Sequence, residues 1–219
     1  MPELQPLVDR LRAAFGDDLV GVYAHGSAAT GGYRAGVSDV DVLVVMRRPV
    51  PAAEVAAEAG NGLPGPLELT VVTPAGAAEQ VVPVTEVLAR GIVLHGPPAA
   101  EVLAAPPWND YLAAIVPTLD VALDRGLSDD PGRAVLVVCR ALLTLLSPPG
   151  TVLGKEEAAA LALERLPAEH RPLIARALAA RVDPAAPQDW DQAALRRFRS
   201  FVVGAAVRRR PGRKVAGLP

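Results

Sequence analysis

The chain has 219 residues, of which 51% are hydrophobic and 21% charged, and its formal net charge is −2. This hydrophobic content excludes an intrinsically disordered chain, and the slightly negative charge argues against a protein whose main task is to bind long nucleic acid. Because Cys139 is the single cysteine, an internal disulfide and a cysteine-based metal cluster are excluded as well. We recognise no signal peptide and no apolar run long enough to span a bilayer, so we expect a cytoplasmic protein without a membrane partner.

The first half of the chain alternates helix and strand signals. Apolar residues at helical spacing predict a helix over 4–15, which Gly16 ends. Short apolar runs bounded by glycine and proline predict three strands, and a second helix lies between the last two. The predicted strands are Leu19–Ala24, Val40–Met46 and Leu67–Thr73, and the second helix is Ala52–Ala59. Residues 1–95 therefore predict an α/β domain with a short mixed sheet.

The pattern changes near Gly96, beyond which a 3.6-residue periodicity prevails. The predicted helices cover 99–105, 109–125, 131–147, 155–165, 171–181 and 191–207. Residues 96–207 thus predict an all-α helical bundle, and the basic segment 208–219, with its prolines and glycines, predicts a flexible tail. The fold class is α+β, an α/β domain followed by a helical one.

Two short motifs at strand ends carry the chemistry. Gly26-Ser27 follows the first strand, where the glycine lets the backbone approach a ligand and N–H and hydroxyl groups can donate to phosphate oxygens, as Ser38 could also. Asp39 and Asp41 lie two apart on the next strand, so their carboxylates project from the same face. They repel each other unless a cation lies between them, and Mg²⁺ is usually held by one or two carboxylates together with substrate phosphates. Either motif alone is more often an ordinary turn or a solvated strand end, but the two in this order indicate nucleotidyl transfer.

A third carboxylate, Glu68, interrupts the apolar strand Leu67–Thr73. An unpaired ionised carboxylate within such a strand would be costly. If this strand pairs beside Val40–Met46, Glu68 joins Asp39 and Asp41 at one end of the sheet. It is then a candidate third metal ligand or a general base for an acceptor hydroxyl. The alternative is an edge-strand glutamate that faces water.

With these motifs the sequence resembles the polymerase-β-type nucleotidyltransferases, whose pattern Gly-Ser, a spacer and Asp-x-Asp stands here as Gly26-Ser27 and Asp39-Val40-Asp41. Within that superfamily it resembles the streptomycin/spectinomycin adenylyltransferases, which carry an α-helical C-terminal domain. The segment Leu-Glu-Leu-Thr-Val-Val around Glu68 is similar to the family segment that holds the catalytic base. Two further stretches, 96–103 and 157–167, point to the same two-domain family.

For the α/β domain the resemblance implies a set of catalytic and ATP-binding residues. Asp39 and Asp41 would be magnesium ligands, and Glu68 would be the base. The triphosphate of the co-substrate ATP would be bound at the Gly26-Ser27 turn and at Ser38. The implied enzyme transfers AMP to a hydroxyl of a small acceptor and releases pyrophosphate.

For the helical domain the resemblance implies two cations at the ATP phosphates, Arg140 and Lys155, and one drug contact, Asp130. Arg140 interrupts the apolar stretch 134–143, where a buried guanidinium needs an anionic partner such as a triphosphate or a carboxylate; a snorkelling side chain is the alternative. Lys155, near a predicted helix start, would otherwise be an ordinary surface residue. Asp130 precedes Pro131, so without the resemblance it reads as a helix N-cap.

Departures from the family pattern bear on the acceptor. Members that act on streptomycin carry a tryptophan and an aspartate where this chain has Val121 and Gly126, and the stretch from Glu79 to Gly91 is short and lacks an aromatic wall. The first departure favours spectinomycin over streptomycin as an aminoglycoside-like acceptor, whereas the short stretch favours a different acceptor. We expect a monomer, and an oligomer stays open. Two alternatives stay open: the same chemistry on another small molecule, a protein or an RNA end, and a non-catalytic nucleotide-binding or antitoxin-type module.

Overall fold

The computed structural model describes residues 3–60, 63, 65–183 and 189–207, so the predicted tail at 208–219 lies outside the described residues. The chain divides into two compact units, Met1–Tyr111 and Leu112–Pro219. This division lies after the change of sequence pattern near Gly96, because the short segment 96–111 belongs to the first unit.

The first unit is a four-stranded mixed sheet with helices on both faces, which confirms the predicted α/β class. The strand order is β3-β2-β1-β4, with β2 and β3 parallel and β1 antiparallel to both β2 and β4. The strands are β1 (Leu19–Ala24), β2 (Val40–Met46), β3 (Leu67–Val72) and β4 (Ile92–His95). The helices are α1 (Gln5–Phe15), α2 (Gly26–Thr30), α3 (Ala52–Ala59), α4 (Val81–Arg90) and α5 (Ala99–Val102), to which the start of α6 (Trp108–Val121) is added.

Strand β2 is the centre of this unit, because its side chains are buried on both faces of the sheet. Val42 and Val44 pack with α1 and α3 on one face, and Leu43 and Val45 pack with α4 on the other. Alternate residues of a strand point to opposite faces, so a run of valine and leucine is what a sheet covered on both sides requires.

Helix α4 and strand β4 were not predicted from the sequence. The segment Val81–Arg90 contains three valines in its first four residues and Pro83, and these residue types have low helix propensity. Proline is tolerated in the first turn, where its missing N–H would have no intrahelical partner, and the buried Val84 and Val87 hold the helix on the sheet. Tertiary packing decides the structure of this segment.

The second unit is helical throughout its described elements. It contains most of α6, a π-helical turn at Ala122–Gly126, α7 (Leu127–Asp129), α8 (Pro131–Leu146), α9 (Lys155–Arg165), α10 (Arg171–Val182) and α11 (Gln192–Val207). Helix α8 is its core, with eleven buried residues that include Cys139, and burial raises the pKa of that thiol to about 12. In the described part of the chain, no helix is long and apolar enough to cross a membrane.

Phe198 on α11 is fully buried in the core of the helical unit, so Phe198→Ala should lower the free energy of unfolding by about 3–5 kcal/mol. The matched control is Val203→Ala on the same helix, where the side chain is 41% exposed and the change should be below about 0.5 kcal/mol. Denaturant unfolding followed by far-ultraviolet circular dichroism measures both, and equal losses would contradict the assigned packing.

Candidate active site

The Gly-Ser turn is pressed against Asp41. The backbone N–H of His25 donates to the carbonyl oxygen of Asp41 at 3.0 Å, and the backbone N–H of Ser27 donates to the Asp41 carboxylate. Gly26 between them has φ +57°, and a Cβ there would collide with Oδ2 of Asp41. Glycine is therefore required twice at this position, for its left-handed backbone and for the close approach of the carboxylate.

Two of the three carboxylates predicted from the sequence, Asp41 and Glu68, are brought together at one end of the sheet. Asp39 directly precedes β2 and is exposed. The parallel pairing of β2 with β3 places Glu68 directly opposite Asp41. Glu68 lies on the edge strand and is exposed, so the argument from burial was wrong for it. Its placement beside Asp41 rests on the strand register instead.

Asp41 has the most perturbed carboxyl group of this unit. Its pKa is raised to about 6, first by burial and then by the nearby Glu68 and Glu86 carboxylates, against the lowering effects of His25 and the Ser27 N–H. A carboxylate that is costly to ionise beside other carboxylates is a site that gains from a bound cation.

The donor set fits a hard divalent ion. Among the described residues, no three side chains of histidine, cysteine, aspartate or glutamate are grouped to hold a metal by themselves. Magnesium does not need such a group, because it takes one or two carboxylates and completes its coordination with water and phosphate oxygens. Asp39 and Asp41 offer only oxygen donors. Because Gly26 has no Cβ, the Asp41 carboxylate can lie directly against the backbone of the turn.

The two serines predicted at this site have different surroundings. Ser38 is buried, its Oγ accepts the backbone N–H of Arg34 at 3.1 Å, and its own N–H donates to the Arg34 carbonyl at 2.8 Å. Ser38 therefore closes the turn that leads into Asp39. The Oγ of Ser27 is buried and has no hydrogen-bond partner among the described residues, so it is the hydroxyl left for a ligand.

A fourth acidic side chain and a histidine at this site were not predicted from the sequence. Glu86 on α4 accepts a hydrogen bond from Nδ1 of His25 at 3.1 Å, and both side chains are largely buried. His25 directly precedes the Gly26-Ser27 turn in the sequence, whereas Glu86 lies in a helix that the sequence pattern did not reveal. No signal in the local sequence could have joined residues 61 positions apart.

In the helical unit, the two predicted cations belong to a larger basic cluster. Burial lowers the pKa of Lys155, at the first position of α9, and the charges of Arg140, Arg133 and Arg181 lower it further, while Glu156 raises it. The Nε of Arg181 donates to Oε1 of Glu156 at 3.0 Å. Such a cluster of positive charge is unfavourable for the free protein and suited to a polyanion. Arg133 and Arg181 are additions to the sequence prediction.

Asp130, predicted as a drug contact, is the N-cap of α8. Its Oδ1 accepts the backbone N–H of Arg133 at 3.0 Å, Pro131 follows at the first helical position, and the carboxylate is exposed. The N-cap reading is thus confirmed, and the exposed carboxylate is also accessible to a ligand.

Comparison with known proteins agrees with this geometry. A family model described as the nucleotidyltransferase domain matches residues 5–79, which contain the strands and carboxylates described above. A second model, described as the C-terminal domain of aminoglycoside adenylyltransferase, matches residues 101–205. The chain belongs to the aminoglycoside adenylyltransferase family of nucleotidyltransferases.

Individual relatives point in the same direction. Spectinomycin 9-adenylyltransferases of Staphylococcus aureus, strains Mu50 and N315, are 27% identical over 203 residues, covering 73% of this chain and 76% of theirs. A crystal structure of spectinomycin adenyltransferase AAD(9) from Enterococcus faecialis with ATP and spectinomycin matches with a TM-score of 0.69 at 19% identity. That match covers 91% of this chain and 96% of the other and supports the two-part fold.

The raised pKa of Asp41 makes stability depend on pH. Its ionisation disfavours the folded state, so stability is lost as the pH rises from about 4 through about 6 and stays lower above. Asp41→Asn, which keeps an acceptor for the Ser27 N–H, should be more stable than the metal-free parent by about 1–2 kcal/mol at pH 7.5, allowing for solvent screening. Thermal denaturation between pH 4 and 8 in EDTA measures this. A difference that does not shrink toward pH 4 would contradict it.

The basic cluster predicts opposite effects of one substitution on stability and on binding. Lys155→Met should leave the free protein as stable as before or more so, because burial and three arginines disfavour the ammonium group. It should weaken binding of tripolyphosphate about tenfold, measured by the concentration dependence of the thermal midpoint. Arg165→Met, at the exposed end of the same helix, is the matched control and should change neither. Equal weakening in both variants would contradict a specific site.

Proposed function

We propose that this protein transfers AMP from ATP to a hydroxyl of spectinomycin, with Mg²⁺, and releases pyrophosphate. The observation that carries the proposal is the in-register pair Asp41–Glu68 beside the Gly26-Ser27 turn, in a chain of this family whose relatives include spectinomycin 9-adenylyltransferases. The carboxylate of Asp41 for a cation, the Gly26-Ser27 turn for phosphate and the exposed Glu68 for the acceptor lie at the same end of the sheet.

Each acidic residue has a distinct role in the proposed reaction. Asp39 and Asp41 would hold magnesium, which when bound neutralises charge on the phosphates. Glu68 accepts the proton of the acceptor hydroxyl, because its exposure leaves it open to a second substrate. The hydroxyl oxygen forms a bond to the α-phosphorus, and the bond to the pyrophosphate oxygen breaks. The Ser27 hydroxyl donates to the phosphates, and Ser38, predicted for the same role, acts by holding the turn that leads into Asp39.

The helical unit supplies the cations and a contact for the acceptor. Arg140 and Lys155 bind phosphate oxygens and stabilise the charge that develops on pyrophosphate, and Arg133 and Arg181 strengthen the field at Lys155. Asp130 offers its exposed carboxylate to an amino group of the acceptor.

Spectinomycin is favoured over streptomycin by two positions. Val121, at the end of α6, is 54% exposed and cannot offer the stacking surface of a tryptophan. At Gly126 a Cβ would stand 3.1 Å from the Cβ of Ala134 on α8, so an aspartate there would require the helix to give way. The chain thus lacks both groups that streptomycin-acting members of the family carry.

Pyrophosphate release with ATP and Mg²⁺ tests the function across a panel of aminoglycosides, with spectinomycin expected to give the highest kcat/KM. Glu68→Gln should lower kcat by about 10²–10⁴ and leave ATP binding nearly unchanged, because a general base acts only in the chemical step. Glu54→Gln in the first turn of α3, an exposed glutamate that follows the opposite end of β2, is the matched control and should be fully active.

The outcomes separate the rival functions. ATP binding without turnover on any aminoglycoside would favour adenylyl transfer to another acceptor. Absence of ATP binding with and without Mg²⁺ would overturn both enzymatic functions and favour a non-catalytic module. Full activity of Glu68→Gln would remove the assigned base.

A further inference from the structure

We propose that His25 and Glu86 form a buried positioning pair that holds the Gly26-Ser27 turn against Asp41 and thereby sets the affinity for ATP with magnesium. This inference rests on the proposed function and adds two residues to its site. Neither residue is expected to touch the reacting atoms, so their effect is on binding rather than on chemistry.

The pair is joined by a hydrogen bond of defined direction. Nδ1 of His25 lies 3.1 Å from Oε2 of Glu86, and the two side chains are only 9% and 13% exposed. An ionised carboxylate accepts hydrogen bonds and does not donate them, so Nδ1 carries the hydrogen. Because Nδ1 of His25 is shielded from water, loss of Glu86 leaves that N–H buried and unsatisfied.

His25 connects three elements at the turn. It directly follows β1, its backbone N–H donates to the Asp41 carbonyl on β2 at 3.0 Å, and its side chain is bound by Glu86 on α4. The next residue, Gly26, has no room for a Cβ beside the Asp41 carboxylate. A small movement of a turn packed this closely would change its contact with Asp41. The hydrogen bond from His25 to Glu86 on α4 therefore controls where the Ser27 donors lie.

Three polar atoms around the His25–Glu86 hydrogen bond point to a ligand. Nε2 of His25, Oγ of Ser27 and Oγ1 of Thr85 are buried without a hydrogen-bond partner among the described residues. Buried polar atoms are nearly always paired in folded proteins. Two of these atoms belong to the turn, and the third belongs to the residue before Glu86. The two atoms of the turn, Nε2 of His25 and Oγ of Ser27, are the ones that a polar ligand beside Asp41 would satisfy.

The test compares variants that keep the hydrogen bond with variants that remove it. His25→Asn places an amide N–H near the position of Nδ1, and Glu86→Gln keeps an acceptor oxygen without the charge. His25→Ala and Glu86→Leu remove the bond. His95→Asn, a histidine on β4 outside the acidic end, is the matched control.

We expect His25→Ala and Glu86→Leu to weaken binding of ATP with magnesium by about 10–100-fold in titration calorimetry, as is typical when partners of metal ligands are removed. Glu86→Gln and His95→Asn should stay within about threefold of the parent, and His25→Asn, which keeps the bond to Glu86 but loses Nε2, should bind more weakly than the parent and more tightly than His25→Ala. At saturating ATP and magnesium, kcat should change less than about threefold while KM for ATP rises, because a positioning residue acts before the chemical step.

Two results would overturn the proposal. One is unchanged binding in His25→Ala, measured well below its thermal midpoint, with only that midpoint lowered, since this indicates a purely structural role. The other is an equal defect in Glu86→Gln and Glu86→Leu, since this indicates a role of charge rather than of the hydrogen bond. If the parent protein itself binds no ATP with magnesium, the proposed function is wrong. That result is distinct from the two above, because it is seen without any substitution.

Discussion

The acidic end of the first unit depends on one close approach, that of the Gly26 backbone to the Asp41 carboxylate. No other residue type fits there, because a Cβ would occupy the position of Oδ2. The close approach brings the Ser27 N–H to the carboxylate and fixes the turn between the end of β1 and the start of β2. The in-register pairing of β2 with β3 then adds Glu68. The proposed metal, phosphate and acceptor chemistry depends on where β2 and β3 begin.

Both candidate sites are arranged at the expense of stability. In the first unit, burial and neighbouring carboxylates make ionised Asp41 unfavourable, and in the helical unit burial and three arginines do the same for protonated Lys155. The proposed ligand would relieve the unfavourable charge in each case, a cation at the negative Asp41 and a polyanion at the positive Lys155. Ionisable groups whose charged form is disfavoured by burial and by like charges are typical of binding sites rather than of structural ion pairs.

Much of the fold could be read from residue patterns because local physics dominates there. The valines of β2 predicted a strand covered on both faces, and the periodicity beyond residue 96 predicted the helical unit. Helix α4 could not be predicted, since its valines and Pro83 disfavour a helix until Val84 and Val87 are buried on the sheet. Glu68 was placed for a wrong reason, burial, although the strand pairing that was expected for it is present.

The sequence by itself determined the two-part organisation, the Gly-Ser turn and the carboxylates of the candidate site, because these depend on spacing along single strands and on residue chemistry. Only the tertiary structure decided what surrounds them. It set Glu86 on His25 and gathered Arg133 and Arg181 around Lys155. Such contacts join residues that are distant along the chain or lie on different faces of helices, and burial and charge act through space, so the order of residues alone does not contain them.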